Sequence, residues 1–260
     1  MPRTCARHGG GSDEVAVLAE AQSLIHAGCA TADSGPSAAA MTIKLAMFDC
    51  DGTLVDSQAN ICLAMEDTFA VNGLTPPTRA ATRRIVGLSL VEAMRVLLPD
   101  ADGEAHHRLA HDYKEAYRAR RADGRLDEEP LFEGMREALD ALRNAGWLLG
   151  VATGKSDRGL AHVLDHHGLA DLFMTLQTAD RHPSKPDPAM LIAGMREAGA
   201  AAEHTAMIGD TSFDMAMGRA AGARAVGVAW GYHQPEELAG AGADVVATHA
   251  RELLALVARP

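Results

Sequence analysis

Two aspartates separated by a single residue, Asp49 and Asp51, close a short apolar run, Ile43-Lys44-Leu45-Ala46-Met47-Phe48. In an extended chain alternate side chains share a face, so both carboxylates can approach one site. Two carboxylates that close repel, and one takes a proton unless a cation sits between them. A hard divalent cation favours oxygen ligands, commonly one or two carboxylates plus a substrate phosphate. Asp210 ends another apolar run, Ala206-Met207-Ile208-Gly209, and Asp214 follows one helical turn later. Any one of these aspartates reads equally well as a turn former or helix cap. All four together point to an acidic site, because capping does not require them to meet at one edge. The phosphate side of such a site needs donors and a cation. Thr153-Gly154 offers a hydroxyl and open amides at a predicted helix start, where anions are favoured, although an isolated Thr there is as readily an N-cap. Lys185 lies within His182-Pro183-Ser184-Lys185-Pro186-Asp187-Pro188, whose prolines stiffen the loop that carries the ammonium. Taken alone it reads as an exposed lysine.

The elements that must position these residues alternate. Short apolar runs at Ile43–Phe48, Trp147–Ala152, Ala206–Ile208, Ala225–Ala229 and Asp244–Ala247 read as buried strands. Between and after them, Met135 to Ala145, Arg158 to His167, Ala189 to Ala198, Ser212 to Ala221 and Ala250 to Ala258 read as helices. Alternation of this kind implies βαβ units and a parallel sheet covered on both faces. Functional groups in such sheets gather at the carboxyl ends of the strands, and three of these runs end there in polar residues. Residues from about 57 to 130 depart from the alternation. They read as four helices, Gln58 to Val71, Ala80 to Val86, Leu90 to Leu98 and Glu104 to Arg121, punctuated by Pro76-Pro77, Gly87 and Pro99-Asp100. A helical insertion directly after the first strand is expected to sit over the carboxyl edge as a lid.

The formal net charge of the 260 residues is -11. This excludes a non-specific nucleic-acid binder, which needs a surplus of Lys and Arg, but leaves room for a small anionic substrate. Cys5, Cys29, Cys50 and Cys62 form no CxxC pair and no zinc spacing. They are expected as free thiols in a reducing cytoplasm. No apolar run approaches the ~20 residues that span a membrane, and no heptad or apolar stripe declares an oligomer interface.

Four segments in order resemble the motifs of the haloacid-dehalogenase-like hydrolase superfamily: Phe48-Asp49-Cys50-Asp51-Gly52-Thr53-Leu54, Val151-Ala152-Thr153-Gly154, Lys185-Pro186-Asp187-Pro188 and Gly209-Asp210-Thr211-Ser212-Phe213-Asp214. The resemblance runs from about Ile43 to the C-terminus. It implies an α/β fold, a doubly wound, Rossmann-like parallel-sheet core with a small all-α cap inserted after the first strand. It implies a division into a core of 41–56 and 131–260 and a cap of 57–130. It further implies a magnesium-dependent phosphatase. Asp49 would be the nucleophile, and Asp51 the acid for the leaving group and then the base for water. Thr153, Gly154 and Lys185 would bind the phosphoryl group. Asp49, Asp210 and the main-chain carbonyl of Asp51 would hold Mg2+, with Asp214 supporting the metal or Lys185. Cys50, between the two aspartates, is expected to point away from them and be inert. His106, His107 and His111 are expected on a solvated cap face.

The insertion resembles the cap of the phosphoglycolate-phosphatase and β-phosphoglucomutase branch, and Trp230-Gly231-Tyr232 resembles a segment of its phosphoglycolate-phosphatase-like members. Arg83, Arg84 and Ser89 then become candidates for substrate contact, with an exposed basic helix face as the plainer reading of the arginines. The expected partner is a small phosphorylated metabolite, with 2-phosphoglycolate as the leading substrate. The alternatives are a β-phosphoglucomutase-like phosphomutase, a pyrophosphatase or nucleotidase and, in a different class, a non-enzymatic phospho-acceptor module. Residues 1–40, with Gly9-Gly10-Gly11-Ser12 and Ala30 to Ser37, read as a loose extension ahead of Met41. A chain begun at Met41 is therefore expected to keep its solubility and activity; loss of either on truncation would give the extension a role.

Overall fold

The apolar run that ends at Asp49 is strand β1 (Lys44–Phe48) of a six-stranded sheet in the computed structural model, which describes residues 42–258. Residues 1–40, read above as a loose extension, lie outside the described residues, as do Cys5 and Cys29. The other strands are β2 (Trp147–Thr153), β3 (Phe173–Thr178), β4 (Thr205–Gly209), β5 (Arg224–Val228) and β6 (Val245–Ala247). Their order is β3-β2-β1-β4-β5-β6 and every pairing is parallel. Phe48 lies opposite both Val151 and Ile208. Asp49, one residue beyond Phe48, and Thr153 and Asp210, two beyond Val151 and Ile208, therefore emerge together at one edge.

Period-two alternation in β1 divides the core. Ala46 and Phe48 face one layer with Leu149, Val151 and Ile208. Leu45 and Met47 face the opposite layer with Met190, Leu191 and Met207. Helices α5 (Met135–Asn144), α6 (Asp157–His166) and α10 (Leu253–Val257) cover the first face. Helices α7 (Ala189–Ala198) and α8 (Ser212–Ala220) cover the second. With so few aromatic residues the second layer depends on methionine, which fills irregular gaps. Two glycines make room for Met47: a Cβ at Gly150 would lie 2.3 Å from its sulfur, and one at Gly194 2.8 Å from its methyl group.

Strand β3 and the short helix α9 (Pro235–Gly240) were not expected from the sequence. Phe173-Met174-Thr175-Leu176-Gln177-Thr178 has no apolar run, because its buried side chains are largely polar. The fold satisfies them locally. Gln177 donates to Thr175 Oγ1 at 2.7 Å and to Glu197 at 2.8 Å, and Thr178 donates to Asp157 at 2.6 Å.

Between β1 and α5 the chain forms α1 (Gln58–Val71), α2 (Arg79–Arg84), α3 (Leu90–Leu97) and α4 (Gly103–Ala122). These pack around their own apolar centre of Met65, Phe69, Met94, Leu109 and Tyr113. The segments leading in and out of this cap run side by side. Val55 bridges Leu131, and Asp56 N–H donates to Pro130 O at 2.9 Å. Asn60 clamps the return segment with both ends of its amide, donating to Asp127 O and accepting from Asp127 N–H, each at 2.9 Å. No helix among the described residues is long and apolar enough to cross a membrane. Because Met47 already occupies the space beside Gly150, Gly150→Ala is expected to lower unfolding free energy by about 1–3 kcal/mol in denaturant titration. An unchanged midpoint would show that Met47 moves aside freely.

Candidate active site

Asp49 leaves the end of β1 at 1% exposure, and Asp210 and Asp214 beside it are fully buried. Each of the three offers an oxygen within 4.8 Å of the others. A single cation answers them directly: Lys185 Nζ lies 2.7 Å from Asp49 Oδ1 and 2.6 Å from Asp214 Oδ1. Asp214 is fixed by the start of α8, where its other oxygen accepts from Thr211 N–H at 3.1 Å and from the Thr211 hydroxyl at 2.7 Å. Asp210 accepts from the Thr53 hydroxyl at 2.8 Å and from Tyr232 N–H at 2.9 Å. Two glycines let the backbone press onto Asp210. A Cβ at Gly231 would stand 2.1 Å from Asp210 Cβ, and one at Gly52, whose φ is +87°, 2.3 Å from Asp210 Oδ2.

The charges in this centre do not balance. Burial pushes Asp49 up to about 7, opposed by the Lys185 ammonium and reinforced by Asp214. Burial, and then Asp49, raise Asp210 well above the usual carboxylate range. Burial works against the charge on Lys185, yet Asp214 and Asp49 outweigh it and hold the ammonium above the ordinary lysine value. Asp49 Oδ2 is buried with no hydrogen-bond partner among the described residues. An all-oxygen, carboxylate-rich and electrically deficient cluster suits a hard divalent cation. The donor set therefore fits magnesium.

Asp51 stands apart from that cluster. Its carboxylate lies 2.5 Å from Lys155 Nζ and accepts the Ser57 hydroxyl. Lys155 was not singled out in the sequence; its only signal is its place directly after Thr153-Gly154. Thr153 is buried at the end of β2, and its hydroxyl oxygen accepts from Lys155 N–H at 3.2 Å. Gly154 meets the cap: a Cβ there would be 2.4 Å from Leu88 O and 2.8 Å from Gly87 O. Nearby, Ser89 N–H donates to Ser184 Oγ at 2.8 Å.

A cavity of about 270 Å³ opens beside Asp51, between the cap and the turn that starts α6. Ser89 lines it; Arg83 and Arg84 do not. They border a different cleft, where Arg84 pairs with Glu237 at 2.7 Å. Cys50 is buried in the core layer, and burial pushes its thiol well up. Of the histidines, His106 is buried with Nε2 2.9 Å from Leu98 O, whereas His107 and His111 are exposed. The expectation of a solvated face therefore fails for His106, which is buried within the cap against Leu98.

Residues 46–228 match the family described as haloacid dehalogenase-like hydrolase. The chain is 35% identical over 209 residues to the "Probable phosphatase IndB" of Dickeya dadantii (strain 3937), an alignment covering 78% of this chain and 88% of that protein. It is 29% identical over 224 residues to a phosphoglycolate phosphatase of Vibrio cholerae serotype O1, covering 83% and 97%. Among solved structures, a haloacid dehalogenase-like family hydrolase from Streptococcus pneumoniae superposes with a TM-score of 0.71 at 24% identity, covering 82% and 98%. At that identity the likeness concerns the fold. These matches overturn the phospho-acceptor alternative. Because the cap backbone occupies the space a side chain would need, Gly154→Ala is expected to displace Gly87 and Leu88 by about 1 Å. Such a shift costs on the order of 100-fold in rate, measured as p-nitrophenyl phosphate hydrolysis; an unaltered rate would show that this close approach is dispensable.

Proposed function

The chain belongs to the haloacid dehalogenase-like hydrolases and is a phosphatase; we propose that it cleaves small phosphomonoesters, with magnesium, through a phosphorylated Asp49. The observation that carries this reading is the buried Asp49 carboxylate, paired with Lys185 inside an acidic cluster at the sheet edge. Asp49 attacks phosphorus and the bond to the ester oxygen breaks. The leaving oxygen takes a proton from Asp51. Water then gives a proton back to Asp51 as its oxygen displaces Asp49, releasing inorganic phosphate and restoring the carboxylate. Lys185 and the Thr153-Gly154 turn hold the phosphoryl oxygens, and Ser57 and Lys155 orient Asp51. Asp49, Asp210 and the main-chain carbonyl of Asp51 would hold magnesium, while Asp214 anchors Lys185. When bound, the ion neutralises charge on the phosphoryl group.

The name of the Vibrio cholerae relative supports 2-phosphoglycolate as the first substrate to test. The free thiols of Cys50 and Cys62 support a cytoplasmic enzyme that meets a phosphorylated metabolite. Asp49→Asn is expected to abolish phosphate release from a panel of 2-phosphoglycolate, β-glucose 1-phosphate, nucleotides and pyrophosphate while leaving circular dichroism and melting unchanged. Chelation should silence the wild type and added magnesium restore it. Full activity in the variant would eliminate the mechanism. A sugar phosphate converted without phosphate release would favour the phosphomutase, and a preference for pyrophosphate or nucleotides the other hydrolase alternatives.

A further inference from the structure

The cavity beside Asp51 adjoins the phosphoryl site: Asp51 and Gly154 line it, whereas Asp49, Lys185 and Asp210 lie outside its wall. It is the space left for the organic part of a substrate. Along one side α4 presents Ala110, Tyr113, Lys114, Tyr117, Arg118 and Arg121, a single helical stripe. At ~1.5 Å per residue this stripe runs about 16 Å. Ile61 and Met65 add apolar wall from α1, and Arg158 on α6 lies on the core side. A two-carbon acid would fill only a fraction of about 270 Å³.

The cations on this wall are not equivalent. Lys155 is held by Asp51, Lys114 by Asp180 and Arg118 by Glu115. Arg121 has no carboxylate partner among the described residues. Its guanidinium lies 5.5 Å from the centre of the Tyr117 ring, and its Nε is buried without a hydrogen-bond partner. A buried donor left unsatisfied is costly. Arg158, which is exposed, also makes no ion pair among the described residues, so two arginines line the same cavity without a carboxylate partner.

Resting on the phosphatase reading, we propose that the preferred substrate is larger than 2-phosphoglycolate: a phosphomonoester with an apolar or aromatic body and a second anionic group, carboxylate or phosphate, bound by Arg121 and Arg158. The body lies against Tyr113, Tyr117, Ile61 and Met65, and the terminal anion supplies the acceptor that Arg121 lacks.

Binding of non-hydrolysable phosphonates to the full chain with magnesium, read by calorimetry, tests this directly. 4-Carboxyphenylphosphonate and 1,4-benzenediphosphonate should each bind about tenfold or more tightly than phenylphosphonate, and the better of the two identifies the anion. Arg121→Gln should remove most of that preference, and Arg121→Lys should restore part of it. Equal affinity for the three ligands, or a preference undiminished in an Arg121→Gln/Arg158→Gln double variant, would overturn the proposal. So would a kcat/KM for 2-phosphoglycolate tenfold above that for 4-carboxyphenyl phosphate. If the binding preference holds but no ester releases phosphate, the phosphatase reading fails and the anion site stands.

Discussion

Like charges forced together away from water repel, and Asp49, Asp210 and Asp214 bring three carboxylates to one buried point with only Lys185 among them. Much of the surrounding structure manages that conflict. Thr53, Tyr232 N–H and Thr211 supply hydrogen bonds, while Gly52 and Gly231 let the main chain close over Asp210 without a side chain intervening. The sheet topology provides the frame, because adjacent parallel strands in matched register deliver Asp49 and Asp210 at the same edge. What is left unbalanced favours a cation and an electrophilic phosphoryl group. The instability of the isolated site is therefore part of its chemistry.

Asp51 lies where the two parts of the molecule meet. Ser57, which donates to it, is the cap residue at the start of α1, and Lys155 precedes α6 in the core. The carboxylate proposed to handle the proton is thus held from both sides of the cleft. The cap backbone at Gly87 and Leu88 also lies directly against the Gly154 turn.

The central strands were legible because a parallel strand buried on both faces must be almost wholly apolar, as in Leu45–Phe48 and Ala206–Ile208. The four aspartates and Lys185 were legible as residue types at strand ends and in a stiffened loop. Strand β3 was hidden because Thr175, Gln177 and Thr178 satisfy one another and Glu197 or Asp157 through contacts made only in the fold. Lys155 was hidden for a related reason. Its partner Asp51 is 104 residues away, and an isolated lysine in a helix-start turn looks solvated. Arg83 and Arg84 show the converse: basic residues at the end of α2 are conspicuous in sequence, but local pattern cannot say that Arg84 turns to Glu237 and away from Asp51. The i, i+4 spacing of Tyr117 and Arg121 is already in the sequence, but that this stripe borders a cavity shared with the Gly154–Ser156 turn appears only in the fold.

The chain enters the inserted helices after Val55 and comes back beside it at Leu131. To the core, everything between those points is a loop whose ends are already joined, so its length adds little to the entropy of closing it. A short turn or a different domain could replace it and leave the strand order and Asp49, Asp210 and Asp214 in place, but Ser57, which holds Asp51, would go with it. The inserted helices and the buried acidic centre are thus separable along the chain except at Ser57, where an exchange of the insert reaches Asp51.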